Sequence, residues 1–187
     1  DGKFVKNDTI EKMREYTEYI KQVSNTPIDV HLMVDNIEPY LKEYVDMEVQ
    51  AIIFHIESCK NEEEALKWIS YLKENNIKVG ITLKPKTKIE DIYKYIPYIH
   101  KVLVMSVEPG KGGQKFMPET IEKIKKLNNF IYENGFEVDI EVDGGINDKT
   151  AKQTIEAGVN ILVAGNYIAK AENFKQAIDS IKQKSNN

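Results

Sequence analysis

The stretch "IDVHLMV" (residues 28–34) decides the fold. A β-strand turns successive side chains to opposite faces. Val30, Leu32 and Val34 therefore share one face, and Asp29, His31 and Met33 share the other. "VDIEVD" (138–143) repeats the division, with Ile140 and Val142 opposed to Asp139, Glu141 and Asp143. "AIIFHI" (51–56), followed by Glu57, sets Ile52, Phe54 and Ile56 against Ile53, His55 and Glu57. Three more runs, "KVGITL" (78–83), "KVLVMSV" (101–107) and "NILVAG" (160–165), have the length and β-branched content of buried strands.

Between these runs lie helix-period stretches at 8–24, 37–47, 61–75, 88–97, 118–134, 148–157 and 171–184. Thr120 and Asn147 are candidate N-caps, and Pro118 suits a first turn. Alternating strand and helix predicts an α/β protein with a parallel sheet. An open sheet covered on both sides would be apolar on both faces. One aliphatic face and one carrying His, Asp, Glu and Met fits a (β/α) barrel, whose inner surface bears a site at its C-terminal rim. His31, Met33, Met105 and Asp143 all come late in their strands.

The composition narrows the function. The chain has 187 residues, 41% hydrophobic, and a net charge of −4 from 26 basic and 30 acidic residues. That is one domain with an ordinary core. Without a basic block, nucleic acid is a poor partner. No apolar run reaches the ~18–20 residues of a membrane span, so no membrane partner is expected. The single cysteine, Cys59, has no internal disulfide partner, and the protein reads as cytoplasmic.

Three strands end in glycine-containing turns that lead into a helix: "PGKGGQ" (109–114), "DGGIND" (143–148) and "AGNY" (164–167). Backbone N–H groups beside glycines, near helix N-termini, can bind phosphate without a cationic side chain. Each turn alone reads as simple punctuation; three at strand C-terminal ends point to an anion site.

The segments "DVHLMV", "VLVMSVEPGKGGQKFMPETIEKI", "IEVDGGIN" and "GVNILVAGNYI" closely resemble the ribulose-phosphate 3-epimerase family, and the resemblance covers the whole chain. Even "DGKFVKN" at the start resembles that family's turn after its second strand. The resemblance implies a (β/α)8 TIM barrel that inverts C3 of a ketopentose phosphate through an enediolate, interconverting D-ribulose 5-phosphate and D-xylulose 5-phosphate. It implies two aspartates on opposite faces of the substrate, and one divalent metal ion (Zn, Fe, Mn or Co) held by two His and two Asp. By position, His31 matches a metal-binding histidine, and Asp143 matches the residue that is both metal ligand and catalytic proton donor. Met33 and Met105 match methionines that flank the enediolate. Gly110, Lys111, Gly112, Gly113, Gly144, Gly145, Gly165 and Asn166 fall on the phosphate and substrate loops. A homo-oligomer is also implied.

The chain departs from the pattern. The family's first-strand serine and its second-strand His and Asp are not among these residues. Six strands are legible out of eight, so residues 1–187 read as one N-terminally incomplete barrel domain, with little epimerase activity expected of it alone. Lys86, Lys111 and Asn166 replace residues usual in the family.

Other readings stay open. One is a different ketose-phosphate 3-epimerase, such as the allulose-6-phosphate enzyme. Another is a decarboxylase or tryptophan-pathway barrel, which would lack the pairing of "HLMV" with "VMSVEPG". A third is a non-catalytic sugar-phosphate binder. His55 faces inward and reads equally well as structural. His100 reads as surface, Cys59 as inert and Trp68 as helix-to-barrel packing. Glu57 and Glu141 either orient ligands or pair with Lys84 and Lys101.

Overall fold

A computed structural model describes residues 1–182. In order, the elements are α1 (Ile10–Val23), β1 (Asp29–Leu32), α2 (Glu38–Asp46), β2 (Ala51–His55), α3 (Glu62–Glu74), β3 (Lys78–Leu83), a 3-10 segment (Ile89–Tyr98) and β4 (Lys101–Met105). Then follow α4 (Thr120–Glu133), β5 (Asp139–Asp143), α5 (Asp148–Glu156), β6 (Ile161–Val163), α6 (Gly165–Ala169) and α7 (Phe174–Lys182). The six strands are parallel and lie side by side in sequence order, forming a curled half-barrel. Every predicted strand is present.

Two expectations need adjusting. The 88–97 stretch winds as 3-10 rather than α-helix, and Pro97 lies inside it. Proline lacks the N–H that an α-helical turn would use. Thr120 is the first residue of α4, not its cap; Glu119 stands at the cap and makes no side-chain bond there. Asn147 does cap α5, accepting from the backbone N–H of Lys149 and Thr150 while Thr150 Oγ1 accepts from Asn147 N. Residues 183–184 of the last predicted helix lie outside the described residues.

The division of faces holds. Val30, Leu32, Ile52, Phe54, Ile140 and Val142 pack under the helices with Leu41, Trp68, Ile69, Leu72 and Ile124. Each such aliphatic side chain contributes about 1.5–3 kcal/mol on burial. The exposed ion pairs, such as Lys126–Glu90, contribute about 0–1 kcal/mol apiece. The helix-to-sheet layer is therefore the main source of stability. A second, smaller cluster fills the concave side: Ile53, Leu103, Met105 and Val107, with Met33 against them.

The floor of the concave side holds a buried charge group. Lys101, its side chain 7% exposed, pairs with Asp29 and lies 3.3 Å from Glu141 Oε2. Gly80 makes room for it, because a Cβ there would lie 2.6 Å from Ile53 Cγ1 and 3.0 Å from Lys101 Cγ. Burial opposes the charge on Lys101, but Asp29 and Glu141 outweigh it and raise its pKa. Burial also raises the pKa of Glu141, which Lys101 only partly offsets. This resolves the sequence alternative for Glu141: it pairs with Lys101.

Candidate active site

The strands' C-terminal ends open on a cleft of about 600 Å³. All twelve residues proposed from the sequence line it: His31, Met33, Met105, Gly110, Lys111, Gly112, Gly113, Asp143, Gly144, Gly145, Gly165 and Asn166. They reach it from four elements. β1 supplies His31, β4 ends in Met105, β5 ends in Asp143, and Met105 and Asp143 are register partners. The loops that follow β4 and β5 supply Gly110, Lys111, Gly112, Gly113, Gly144 and Gly145, and the first turn of α6 supplies Gly165 and Asn166.

The loops are tied to one another. Gly145 has φ +62°, and a Cβ on it would lie 2.5 Å from Phe116 N. The "DGGIN" turn can thus press against the β4 loop only with glycine there. At Gly112 a Cβ would lie 2.8 Å from Asn166 Nδ2, so the β4 loop and the start of α6 also meet. Ser106 fastens the end of β5: its hydroxyl donates to Asp143 O at 2.9 Å and Gly144 O at 2.7 Å. Thr150 Oγ1 donates to Gly145 O at 3.0 Å, joining that loop to α5.

Among the described residues four carboxylates line the cleft, and three have other positions or partners. Asp1 accepts from the backbone N–H of Lys3, Phe4 and Asp35, at 3.0, 2.8 and 2.6 Å. Asp29 pairs with Lys101. Glu108 lies exposed on the rim. Asp143 sits half-buried at the end of β5, and among the described residues no hydrogen bond reaches its carboxylate. Burial raises its pKa, which brings it toward the range useful for proton transfer.

Among the described residues His31 makes one polar side-chain contact. Its Nε2 lies 3.0 Å from Nε2 of His55, with the rings stacked at 5.1 Å. Desolvation first, then the neighbouring His55, lowers the His31 pKa from 6.5 to about 3, so the ring is neutral. His55 is fully buried, and its Nδ1 faces Glu57 Oε2 at 3.3 Å. Burial opposes ionisation of Glu57. Hydrogen bonds from His55, Thr87 and the Lys84 backbone overcome it and take the pKa down to about 2.

Sequence reasoning left two contributors undecided and two out. His55 and Glu57 were visible only as inward residues of undecided use. Ser106 sits inside the quoted "VMSVEPG" but carried no signal of its own. The fourth is the opening segment: Phe4 packs on His55 at 4.7 Å, and Asn7 Nδ2 donates to Gly110 O at 2.8 Å. Nothing in its composition marks residues 1–7 as cleft wall.

His31 and Asp143 are the metal donors proposed from the sequence, and both reach the cleft. Among the described residues no group of three or more His, Cys, Asp or Glu converges as a metal site. Two donors fall short of the four typical of a closed protein site, so the fit of this chain to a metal ion is incomplete.

A parallel half-barrel with a carboxylate, a neutral imidazole and glycine-rich loops at its C-terminal rim defines a (β/α)-barrel enzyme acting on a small anionic substrate. Residues 1–169 match the Ribulose-phosphate 3 epimerase family, and the chain belongs to that family. A ribulose-phosphate 3-epimerase of Methanocaldococcus jannaschii is 37% identical over 98% of this chain and 75% of the relative. That of Bacillus subtilis is 36% identical over 97% of this chain and 82% of the relative. Among solved structures, KGPDC from Streptococcus mutans superposes with a TM-score of 0.65 at 14% identity, over 94% of this chain and 79% of that one. Tryptophan synthase subunit alpha from Campylobacter jejuni superposes with 0.57 at 17% identity, over 94% and 71%. These two share the fold alone.

Proposed function

We propose that the substrate is D-ribulose 5-phosphate, epimerised at C3 to D-xylulose 5-phosphate through an enediolate. The observation that carries this reading is the position of Asp143, a free, half-buried carboxylate between a methionine-lined wall and glycine-rich loops. Asp143 removes or returns the C3 proton on one face of the sugar. Met33 and Met105 keep that face dry, so charge on the carboxylate and the developing enediolate is poorly solvated by bulk water. The loops 110–113 and 144–145 and the first turn of α6 (165–166) hold the phosphate through backbone N–H groups, with Asn166 and Lys111 as side-chain donors.

His31 and Asp143 would hold the divalent ion that the family resemblance implies, and the ion would polarise the enediolate oxygens as a Lewis acid. With Asp143 as the one free inward carboxylate among the described residues, these 187 residues have little full epimerase activity. A homo-oligomer in the cytoplasm completes the reading.

The test is incubation of the chain with either pentulose phosphate in D2O, followed by NMR. A single carboxylate serves one face, so deuterium should enter C3 of one pentulose phosphate only, the one whose C3–H faces Asp143, and faster than the epimer forms. Asp143→Asn should slow that exchange at least 10²-fold, the lower end of general acid–base contributions, while phosphate-ester binding persists. Exchange unaffected by the substitution removes Asp143 from the reaction. Epimer formation at roughly 1–10³ per second contradicts the low activity.

A further inference from the structure

We propose that Glu57 and His55 are positioning residues that hold His31 in a single tautomer, with hydrogen on Nε2 and Nδ1 bare. The ordering starts at Glu57. Its Oε1 accepts from Lys84 N at 2.8 Å and from the Thr87 hydroxyl. Its Oε2 faces His55 Nδ1 at 3.3 Å. An ionised carboxylate accepts and does not donate. The hydrogen of that contact therefore sits on His55 Nδ1. A neutral imidazole has only one N–H, so His55 Nε2 is a bare acceptor. His31 Nε2, 3.0 Å away, must supply the hydrogen, because two bare nitrogens at that distance repel. The free lone pair of His31 is then on Nδ1.

The opposite polarity requires His55 protonated on both nitrogens and His31 bare at Nε2. His55 is 0% exposed and sits against the Phe4 ring at 4.7 Å, and the Lys84 ammonium lies over that same ring, 3.9 Å from its centre. An added charge is disfavoured there. The Glu57 end is itself anchored. The loop that donates to it is pinned by Lys123 Nζ, which donates to Pro85 O at 2.6 Å and Thr87 O at 2.8 Å.

A bare Nδ1 makes His31 an electron-pair donor to a ligand rather than an acid. What that lone pair serves rests on the epimerase reading; the tautomer itself does not.

The test is long-range ¹H–¹⁵N correlation NMR of the ¹⁵N-labelled 187-residue chain at neutral pH, without substrate or metal. The expected spectrum has His31 protonated at Nε2 only and His55 at Nδ1 only. Glu57→Ala should abolish the single-tautomer signature, giving mixed Nδ1–H and Nε2–H at both rings. A wild-type His31 protonated at Nδ1, or a Glu57→Ala spectrum identical to wild type, overturns the relay. If Glu57→Ala does not fold, the wild-type spectrum alone decides. Turnover is not read in this experiment, so its failure is separate from failure of the epimerase reading.

Discussion

His31 and His55 meet across neighbouring parallel strands with their Nε2 atoms 3.0 Å apart, one ring on the cleft wall and the other sealed behind it. This pair makes the fold sensitive to acid. The His31 pKa is about 3 in the folded chain against 6.5 for an ordinary histidine. Below pH 6.5 the unfolded chain takes up a proton that the folded chain refuses. Stability therefore falls on acidification and goes on falling to about pH 3. One pKa unit corresponds to about 1.4 kcal/mol, so moving from pH 6.5 to 5 should cost about 2 kcal/mol. Urea unfolding at a series of pH values measures it. His31→Gln should flatten the slope, though not to zero, because burial lowers the His55 pKa as well. Equal slopes in both proteins would refute the assignment.

Lys101 pairs with two carboxylates on the barrel floor, Asp29 and Glu141. Lys101→Met should destabilise the chain by about 3–5 kcal/mol at pH 7, since breaking a buried pair strands a charge. Adding Glu141→Leu should recover more than half of that loss. Denaturant midpoints of the two variants check both statements; a single-variant loss below about 1 kcal/mol would mean that water already screens the group.

Gly145→Ala tests the seam between two cleft loops. The residue sits at φ +62°, and an added Cβ would lie 2.5 Å from Phe116 N. Left-handed backbone alone costs about 1–2 kcal/mol, and the clash adds to it. The variant should lose at least about 2 kcal/mol of stability and weaken sugar-phosphate binding. Calorimetry and a binding titration would read these; a thermally unchanged variant argues that the seam is loose.

Zinc binding tests the donor count. Two protein ligands give a fraction of the affinity of a four-ligand site, so the chain should bind Zn²⁺ with a Kd no tighter than roughly 1 µM. Competition with a chromophoric chelator measures it. Nanomolar affinity would require further ligands from this chain.

Cys59 should resist alkylation at pH 8. Burial first, then Glu64 and Glu57, push its thiol up to about 12, leaving almost no thiolate to react. Rapid labelling by iodoacetamide in the folded chain would contradict this.

The fold was legible because strand geometry is a local rule. Alternation in "DVHLMV", "IIFHIE" and "DIEVD" reports which face is apolar, and the observed core follows it residue for residue. Local rules were weaker at element ends. The cap at Asn147 was readable, whereas Thr120 lies one place inside its helix, and the 3-10 winding around Pro97 looked like ordinary helix.

The cleft shows the same boundary. By itself the sequence determined which residues face inward late in their strands and where the backbone turns on glycine. That covers His31, Met33, Met105, Asp143 and the three loops. Only the tertiary structure decided partnership: that His55 and Glu57 back His31, that Ser106 fastens the end of β5, and that residues 1–7 wall the mouth. Side-chain direction follows from neighbouring residues. Hydrogen bonds between residues 24 and 37 positions apart follow only from the parallel pairing of neighbouring strands.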